Sequence, residues 1–117
     1  MVAIEAKDVR GIPVVSLEGE FEAGDTEVFR RYIFDLADQL ADNRLIIDLA
    51  KLNTASSGAF RVMVLVQRKL EMLDGSLMVT GARGRVREMT RLSEVDSLLD
   101  LECCAKSAAS RMEVSAV

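Results

Sequence analysis

Three hydroxyl side chains that lie close together in the sequence have the chemistry needed to hold or carry phosphate. Thr54, Ser56 and Ser57 follow the apolar run at residues 45–49 and precede an amphipathic segment. If that segment is a helix, its first backbone N–H groups are free and its dipole favours an anion at this end. The pattern fits a phosphate site, formed by a ligand or by phosphorylation. On local physics alone, however, a serine that only caps the helix is favoured.

The composition excludes several kinds of catalytic site. The 117 residues include no His, so Ser-His-Asp and Cys-His arrangements and His-ligated metals are absent. A nucleophilic serine needs a base, and nothing places a lysine near Ser56. No Gly-Lys-Ser/Thr follows the loop, which excludes a Walker-type phosphate site. We therefore predict a protein without catalysis, cofactor or metal. A net charge of −4 also disfavours general nucleic-acid binding.

Strands and helices alternate along the chain, which predicts a single α/β domain over residues 1–117. We expect a mostly parallel or mixed sheet of four to five strands with crossover helices. The predicted strands are 2–6, 14–17, 45–49, 76–80 and 98–103, and the predicted helices are 26–41, 57–73, 86–92 and 105–112. The run at 45–49 is apolar except for Asp48, which indicates a central strand buried on both faces. The acidic segment 20–25 and residues 50–56 are predicted loops.

The predicted helix at 57–73 has two different faces. At about 100° per residue, one face is an apolar core stripe; its members are Ala59, Val62, Met63, Val66, Leu70 and Leu73. The opposite face consists of Ser57, Arg61, Val64, Leu65, Arg68 and Met72. Half of this second face is large and apolar, which favours a protein interface with a polar rim. The alternative is a helix that a neighbouring element buries more widely.

Residues 53–59, Asn-Thr-Ala-Ser-Ser-Gly-Ala, follow the strand Leu-Ile-Ile-Asp-Leu and resemble the signature of STAS domains, most closely the bacterial anti-sigma-factor antagonists. Three further segments resemble the family in the same order: Leu-Glu-Gly-Glu-Phe-Glu at 17–22, the strand at 75–80, and the segment 86–95. Four motifs in the right order are more specific than any one of them. The resemblance covers nearly the whole chain and implies the STAS fold.

The resemblance also implies a function by partner switching. The antagonist binds an anti-sigma factor that is also a serine kinase, and thereby frees a sigma factor. The kinase, which supplies the ATP, phosphorylates the loop serine and breaks the complex, and a serine phosphatase restores it. The implied acceptor is Ser56, with Ser57 second because an N-cap role would occupy its hydroxyl. The implied partner-binding residues are Glu20, Phe21, Glu22, Asp25, Thr54, Ala55, Ser56, Ser57, Gly58, Arg61, Val64, Leu65 and Arg68.

Three positions depart from the family pattern. Ala55 stands where the family has Asp, Glu22 where Asp is usual, and Glu94 where Gly is usual. Loss of the motif Asp favours a second hypothesis, in which the chain is a non-switching STAS subunit of a signalling scaffold or of an ABC-type lipid-transport complex.

The cellular setting can also be predicted from the sequence. The first eight residues carry acids and no apolar segment, and no stretch approaches the roughly 20 apolar residues of a membrane helix. Adjacent Cys103 and Cys104 are read as reduced thiols. We expect a cytoplasmic monomer or weak dimer without membrane insertion.

Overall fold

The computed structural model describes residues 1–92 and 100–102, which form five strands and three α-helices. In chain order these are β1 (Val2–Val9), β2 (Ile12–Glu20), a short 3₁₀ helix (Ala23–Asp25), α1 (Thr26–Asp38), β3 (Arg44–Thr54), α2 (Ser57–Met72), β4 (Ser76–Thr80), α3 (Gly84–Leu92) and β5 (Asp100–Glu102). The predicted terminal helix at 105–112 and both cysteines lie outside the described residues.

The five strands form one mixed sheet in the order β1-β2-β3-β4-β5. β1 pairs antiparallel with β2 through a tight turn at Arg10 and Gly11, both with positive φ (54° and 82°). The other neighbouring strands pair in parallel. The predicted α/β class and mixed sheet of four to five strands are therefore confirmed. The carboxyl ends of β2, β3 and β4 lie at one edge.

Side chains on both faces of the sheet are buried. Leu45, Ile46 and Ile47 of β3 are all fully buried. Because successive side chains of a strand point to opposite faces, this confirms a central strand covered on both sides. The larger apolar cluster joins Ile47 to the buried stripes of α1 and α2, and a smaller cluster joins Ile46 to the opposite face of β2 and β4.

Helices α1 and α2 lie side by side and run in the same direction. Their first turns meet where Gly58 faces Thr26, since a Cβ added at Gly58 would lie only 2.6 Å from Thr26 Oγ1. Their last turns are joined by an ion pair between Lys69 Nζ and Asp38 Oδ1 (2.6 Å). The small residue at position 58 thus permits the close approach of the two helix starts.

Several predicted boundaries are wrong, most clearly at β3. This strand continues to Thr54 instead of ending at residue 49, so most of the predicted loop at 50–56 is strand. The extension exists because β2 continues to pair with it as far as Glu20↔Thr54, a long-range contact that no local pattern reveals. β2 is likewise longer than predicted. α1 ends at Asp38, not 41. Leu73 follows α2 and is 49% exposed, so it is not part of the core stripe.

Gly75, between α2 and β4, has no room for a side chain. A Cβ there would overlap the carbonyl oxygen of Asn43, which accepts a hydrogen bond from the Ser76 backbone N–H (2.9 Å). Because the clash is with backbone, Gly75→Ala is expected to lower the free energy of unfolding by about 2–3 kcal/mol in urea denaturation. Gly24→Ala adds the same methyl group into open space and should change it by less than about 0.5 kcal/mol. Equal losses in the two variants would contradict this account.

Candidate functional site

The candidate site is built at the start of α2, directly after β3. Ser56 has extended backbone angles (φ −95°, ψ 161°) and is the N-cap of the helix, and its carbonyl accepts a hydrogen bond from the Ala59 N–H (3.1 Å). Ser57 is the first helical residue and is exposed. The expectation that an N-cap role occupies the Ser57 hydroxyl is therefore wrong, because the capping position belongs to the preceding residue.

The hydroxyl of Ser56 has an unusual environment. An N-cap hydroxyl normally accepts a hydrogen bond from a first-turn N–H, yet Ser56 Oγ makes no such bond. Within the described residues this oxygen is buried and has no hydrogen-bond partner. Buried polar atoms of this kind are rare in folded proteins and call for an explanation. Ser56 thus caps the helix through its backbone carbonyl, while its hydroxyl takes no part in the hydrogen bonds of the described residues.

The acidic loop, which runs from Phe21 to Asp25 after β2, lies beside the serine loop, which consists of Ala55 and Ser56 between β3 and α2. The Phe21 N–H donates a hydrogen bond to the Thr54 carbonyl (2.9 Å). This bond extends the contact between the two chain segments one residue beyond the end of β2. Thr26, the first residue of α1, faces Gly58 in the first turn of α2. The carboxyl ends of neighbouring parallel strands are the usual place for a functional site in such sheets. The acidic loop and the serine loop therefore lie side by side at this edge.

Acidic side chains line this part of the surface. Glu20 and Glu22 are exposed, and Asp25 is half-buried with its Oδ2 accepting the Glu22 N–H (2.9 Å). In the first turn of α1, a hydrogen bond from Arg30 Nη2 to Glu27 Oε1 (2.7 Å) lowers the pKa of that carboxyl. The carboxylates near the serine loop would repel a further negative charge.

Phe21 occupies the core and not the surface. Its side chain is only 2% exposed, and its ring packs edge-on against Phe29 at 5.4 Å between centroids. The expectation that Phe21 contacts a partner is therefore corrected, because a side chain this buried cannot reach one. Its role in the structure is to anchor the acidic loop to α1.

The outer face of α2 is largely exposed. Arg61, Leu65 and Arg68 are exposed, with 43% of Leu65 accessible. Val64 is half-buried and packs against the core, so the wider burial considered for this face applies at that position. Met72, at the end of the helix, is 85% exposed. Thr54, Ala55 and Gly58 are half-buried at the base of the surface.

Sequence reasoning missed two residues that organise the site. Thr26 touches the first turn of α2, and Phe29 provides the aromatic partner of Phe21. The glycine at position 58 was the available signal for the first contact, since a glycine in a helix often marks close packing. Nothing local distinguishes Phe29 from other apolar residues of α1.

Residues 3–108 match the STAS domain family. The chain belongs to the STAS domain family. This STAS domain is 23% identical over 107 residues to a candidate anti-sigma factor antagonist, BtrV, of Bordetella bronchiseptica, covering 92% of this chain and 91% of that protein.

Solved structures share the fold of this STAS domain. An anti-sigma factor antagonist from Mycobacterium paratuberculosis has a TM-score of 0.83 at 20% identity, with 97% of this chain and 95% of that chain covered. The anti-sigma factor antagonist SpoIIAA in its unphosphorylated form has a TM-score of 0.80 at 21% identity, with 98% of each chain covered. SpoIIAA of Bacillus has also been solved in the phosphorylated form.

Two negative findings apply to the part of this STAS domain that the structure describes. No helix there is long and apolar enough to cross a membrane. Within the same residues, no three or more acidic or cysteine side chains come together where they could hold a metal ion.

Proposed function

We propose that this STAS domain is an anti-sigma-factor antagonist that acts by binding and performs no catalysis of its own. Its partner is an anti-sigma factor that also has serine kinase activity. When the STAS domain binds this anti-sigma factor, the sigma factor is released. Phosphorylation of Ser56 by that kinase breaks the complex, and a serine phosphatase restores it. The protein acts in the cytoplasm as a regulator of transcription.

The junction of the acidic loop with the start of α2 is the observation that carries this proposal. The hydrogen bond from Phe21 to Thr54 and the contact of Thr26 with Gly58 make one continuous surface from two loops and a helix face. The exposed part of that surface combines carboxylates, hydroxyls and the Arg-flanked Leu65. Relatives described as anti-sigma factor antagonists support the role, as does the existence of a phosphorylated form of SpoIIAA.

The environment of Ser56 suits a residue that is modified reversibly. Its hydroxyl must rotate outward to meet a kinase, and this rotation breaks no hydrogen bond, since Ser56 Oγ has none. The kinase would transfer the γ-phosphoryl group of ATP to Oγ, with loss of the hydroxyl proton and release of ADP. Free N–H groups at the start of α2 then favour the new phosphate. Ser57 remains the second candidate acceptor, because it is already exposed.

The phosphate would act on the partner complex through charge. A phosphoserine carries nearly two negative charges at neutral pH and needs hydration. On this surface it would lie near the carboxylates of Glu20, Glu22 and Asp25, so the acidic edge becomes more strongly negative. A partner surface that accepts the neutral hydroxyl would then face both repulsion and a desolvation cost. The fold itself is expected to survive.

The exposed face of α2 provides a matched pair of variants that tests the docking surface. Leu65→Ala removes an apolar contact inside the proposed surface, and Met72→Ala removes one at the far end of the same helix. Leu65 is the apolar centre of the proposed surface, and the contacts that contribute most to binding lie at the centre of an interface. With the purified anti-sigma factor, Leu65→Ala is therefore expected to weaken binding about tenfold in calorimetric titration, which corresponds to about 1.4 kcal/mol. Met72→Ala should bind like the unmodified chain. If both variants bind equally well, α2 is not part of the interface.

One observation favours the alternative of a non-switching STAS subunit in a signalling scaffold or an ABC-type transport complex. Ala55 stands at the position of the family's Asp, and the neighbouring Ser56 hydroxyl is buried. Such a subunit would use the same surface without modification. Phosphorylation by the partner kinase separates the two functions, because only the switching antagonist requires it.

A further inference from the structure

Strand β1 lies at one edge of the five-stranded sheet. Over the described residues it pairs only with β2, and its eight residues run from Val2↔Gly19 to Val9↔Ile12 without a break in register. It has neither a proline nor a bulge, which are two common means of protecting an edge. Within residues 1–92 and 100–102 its outer backbone groups pair with no other strand, so a strand from another molecule can add there.

The turn geometry determines which residues of β1 present those groups. Because Val9 and Ile12 flank a two-residue turn, they form a hydrogen-bonded pair, and such pairs recur at every second residue. Lys7 and Glu5 consequently direct their backbone groups toward β2. Those of Ile4, Ala6 and Asp8 point outward.

We propose that β1 pairs antiparallel with β1 of a second copy of this chain, centred on Ala6. Ala6 then faces its own counterpart, and Ile4 faces Asp8 of the other copy. About six backbone hydrogen bonds join the two sheets into one. This contact involves β1 only, so it does not depend on the function proposed for Ser56.

Charge selects this register. With Ala6 at the centre, Glu5 of each copy lies opposite Lys7 of the other, and two such pairs form. Both residues are exposed, and the structure records no ion pair for either within residues 1–92 and 100–102. Centring the pairing on Glu5 or on Lys7 would place like charges opposite each other. Centring the pairing on Ile4 would pair fewer residues of β1, and neither Glu5 nor Lys7 would lie opposite a charged side chain.

The test uses the full chain in sedimentation equilibrium from about 10 µM to 1 mM, a range suited to weak association. The 12.9 kDa monomer is expected to give way to a dimer as concentration rises. Glu5→Lys and Lys7→Glu each make both cross-strand pairs repulsive, and each should raise the dimer Kd about tenfold or more. The double variant E5K/K7E restores opposite charges and should dimerise like the unmodified chain. An equimolar mixture of the two single variants should form a mixed dimer.

A backbone variant provides an independent test. Ala6→Pro removes an N–H that points away from β2, so the internal ladder is retained while the outer edge is blocked. Circular dichroism checks that it folds, and it should remain monomeric at every concentration. If the unmodified chain remains monomeric at 1 mM, the proposal is overturned. This result is expected if β1 instead pairs with a peptide or with another protein. A dimer that neither the charge variants nor Ala6→Pro weaken would overturn it as well, because its interface would lie elsewhere.

Discussion

Replacing Ser56 with Asp is expected to weaken binding to the anti-sigma factor more than a hundredfold while the protein stays folded. The position of Ser56 Oγ is buried, so a carboxylate there must turn outward to stay hydrated. It then adds charge beside the acidic loop at the centre of the proposed interface. A loss of about 3 kcal/mol in binding free energy suffices for an effect of this size. Titration calorimetry with the purified partner measures it.

The control for Ser56→Asp is the same charge outside the proposed surface. Met72 is 85% exposed at the far end of α2, so Met72→Asp changes the net charge equally without altering the serine loop. We expect a loss of less than about tenfold for this control. Asp is a preferred N-cap, so Ser56→Asp should keep the unfolding midpoint within a few degrees of the unmodified chain. Equal partner affinity for Ser56→Asp and the unmodified chain would contradict the switch.

Replacing Phe21 with Ala is expected to lower the free energy of unfolding by about 3–5 kcal/mol. The ring is almost fully buried and packs edge-on against Phe29, so its removal leaves a cavity and breaks an aromatic pair. Urea denaturation monitored by circular dichroism gives the value. The size of this loss decides whether Phe21 is a core residue, as its burial indicates, or a partner contact, as the family resemblance implies.

Two further variants calibrate the Phe21 result. Phe21→Leu keeps most of the buried volume and should cost less than about 1.5 kcal/mol. Val28→Ala truncates a side chain that is 63% exposed in α1 and should cost less than about 0.5 kcal/mol. If Phe21→Ala is as stable as Val28→Ala yet binds the anti-sigma factor poorly, Phe21 is a contact residue and its assignment to the core is wrong.

The elements with strong local patterns could be predicted from the sequence. Strand β4 has its predicted bounds, because it follows the turn signal Asp74-Gly75 and has three consecutive apolar residues at its centre. The outer face of α2 was predicted from helical spacing, and Arg61 and Leu65 are indeed exposed. The order of strands and helices was sufficient to predict the mixed sheet.

Features that depend on contacts distant in sequence could not be predicted. The end of β3 is set by pairing with β2 up to Thr54, although residues 50–54 alone resemble a loop. The burial of Phe21 depends on its packing against Phe29 of α1, eight residues further along the chain. The cap could be placed at Ser56 only from its backbone angles, because two adjacent serines are equally good candidates by type.

Mapping the phosphate after incubation with the partner kinase and ATP tests the central claim most directly. The full chain is mixed with the purified anti-sigma factor kinase and followed by intact mass spectrometry, and the modified peptide is then sequenced. Ser56→Ala and Ser57→Ala serve as a matched pair. The account predicts one added phosphate, located on Ser56, which Ser56→Ala abolishes and Ser57→Ala retains. No phosphate on the unmodified chain, or a phosphate on Ser57 alone, would contradict the proposed switch at Ser56.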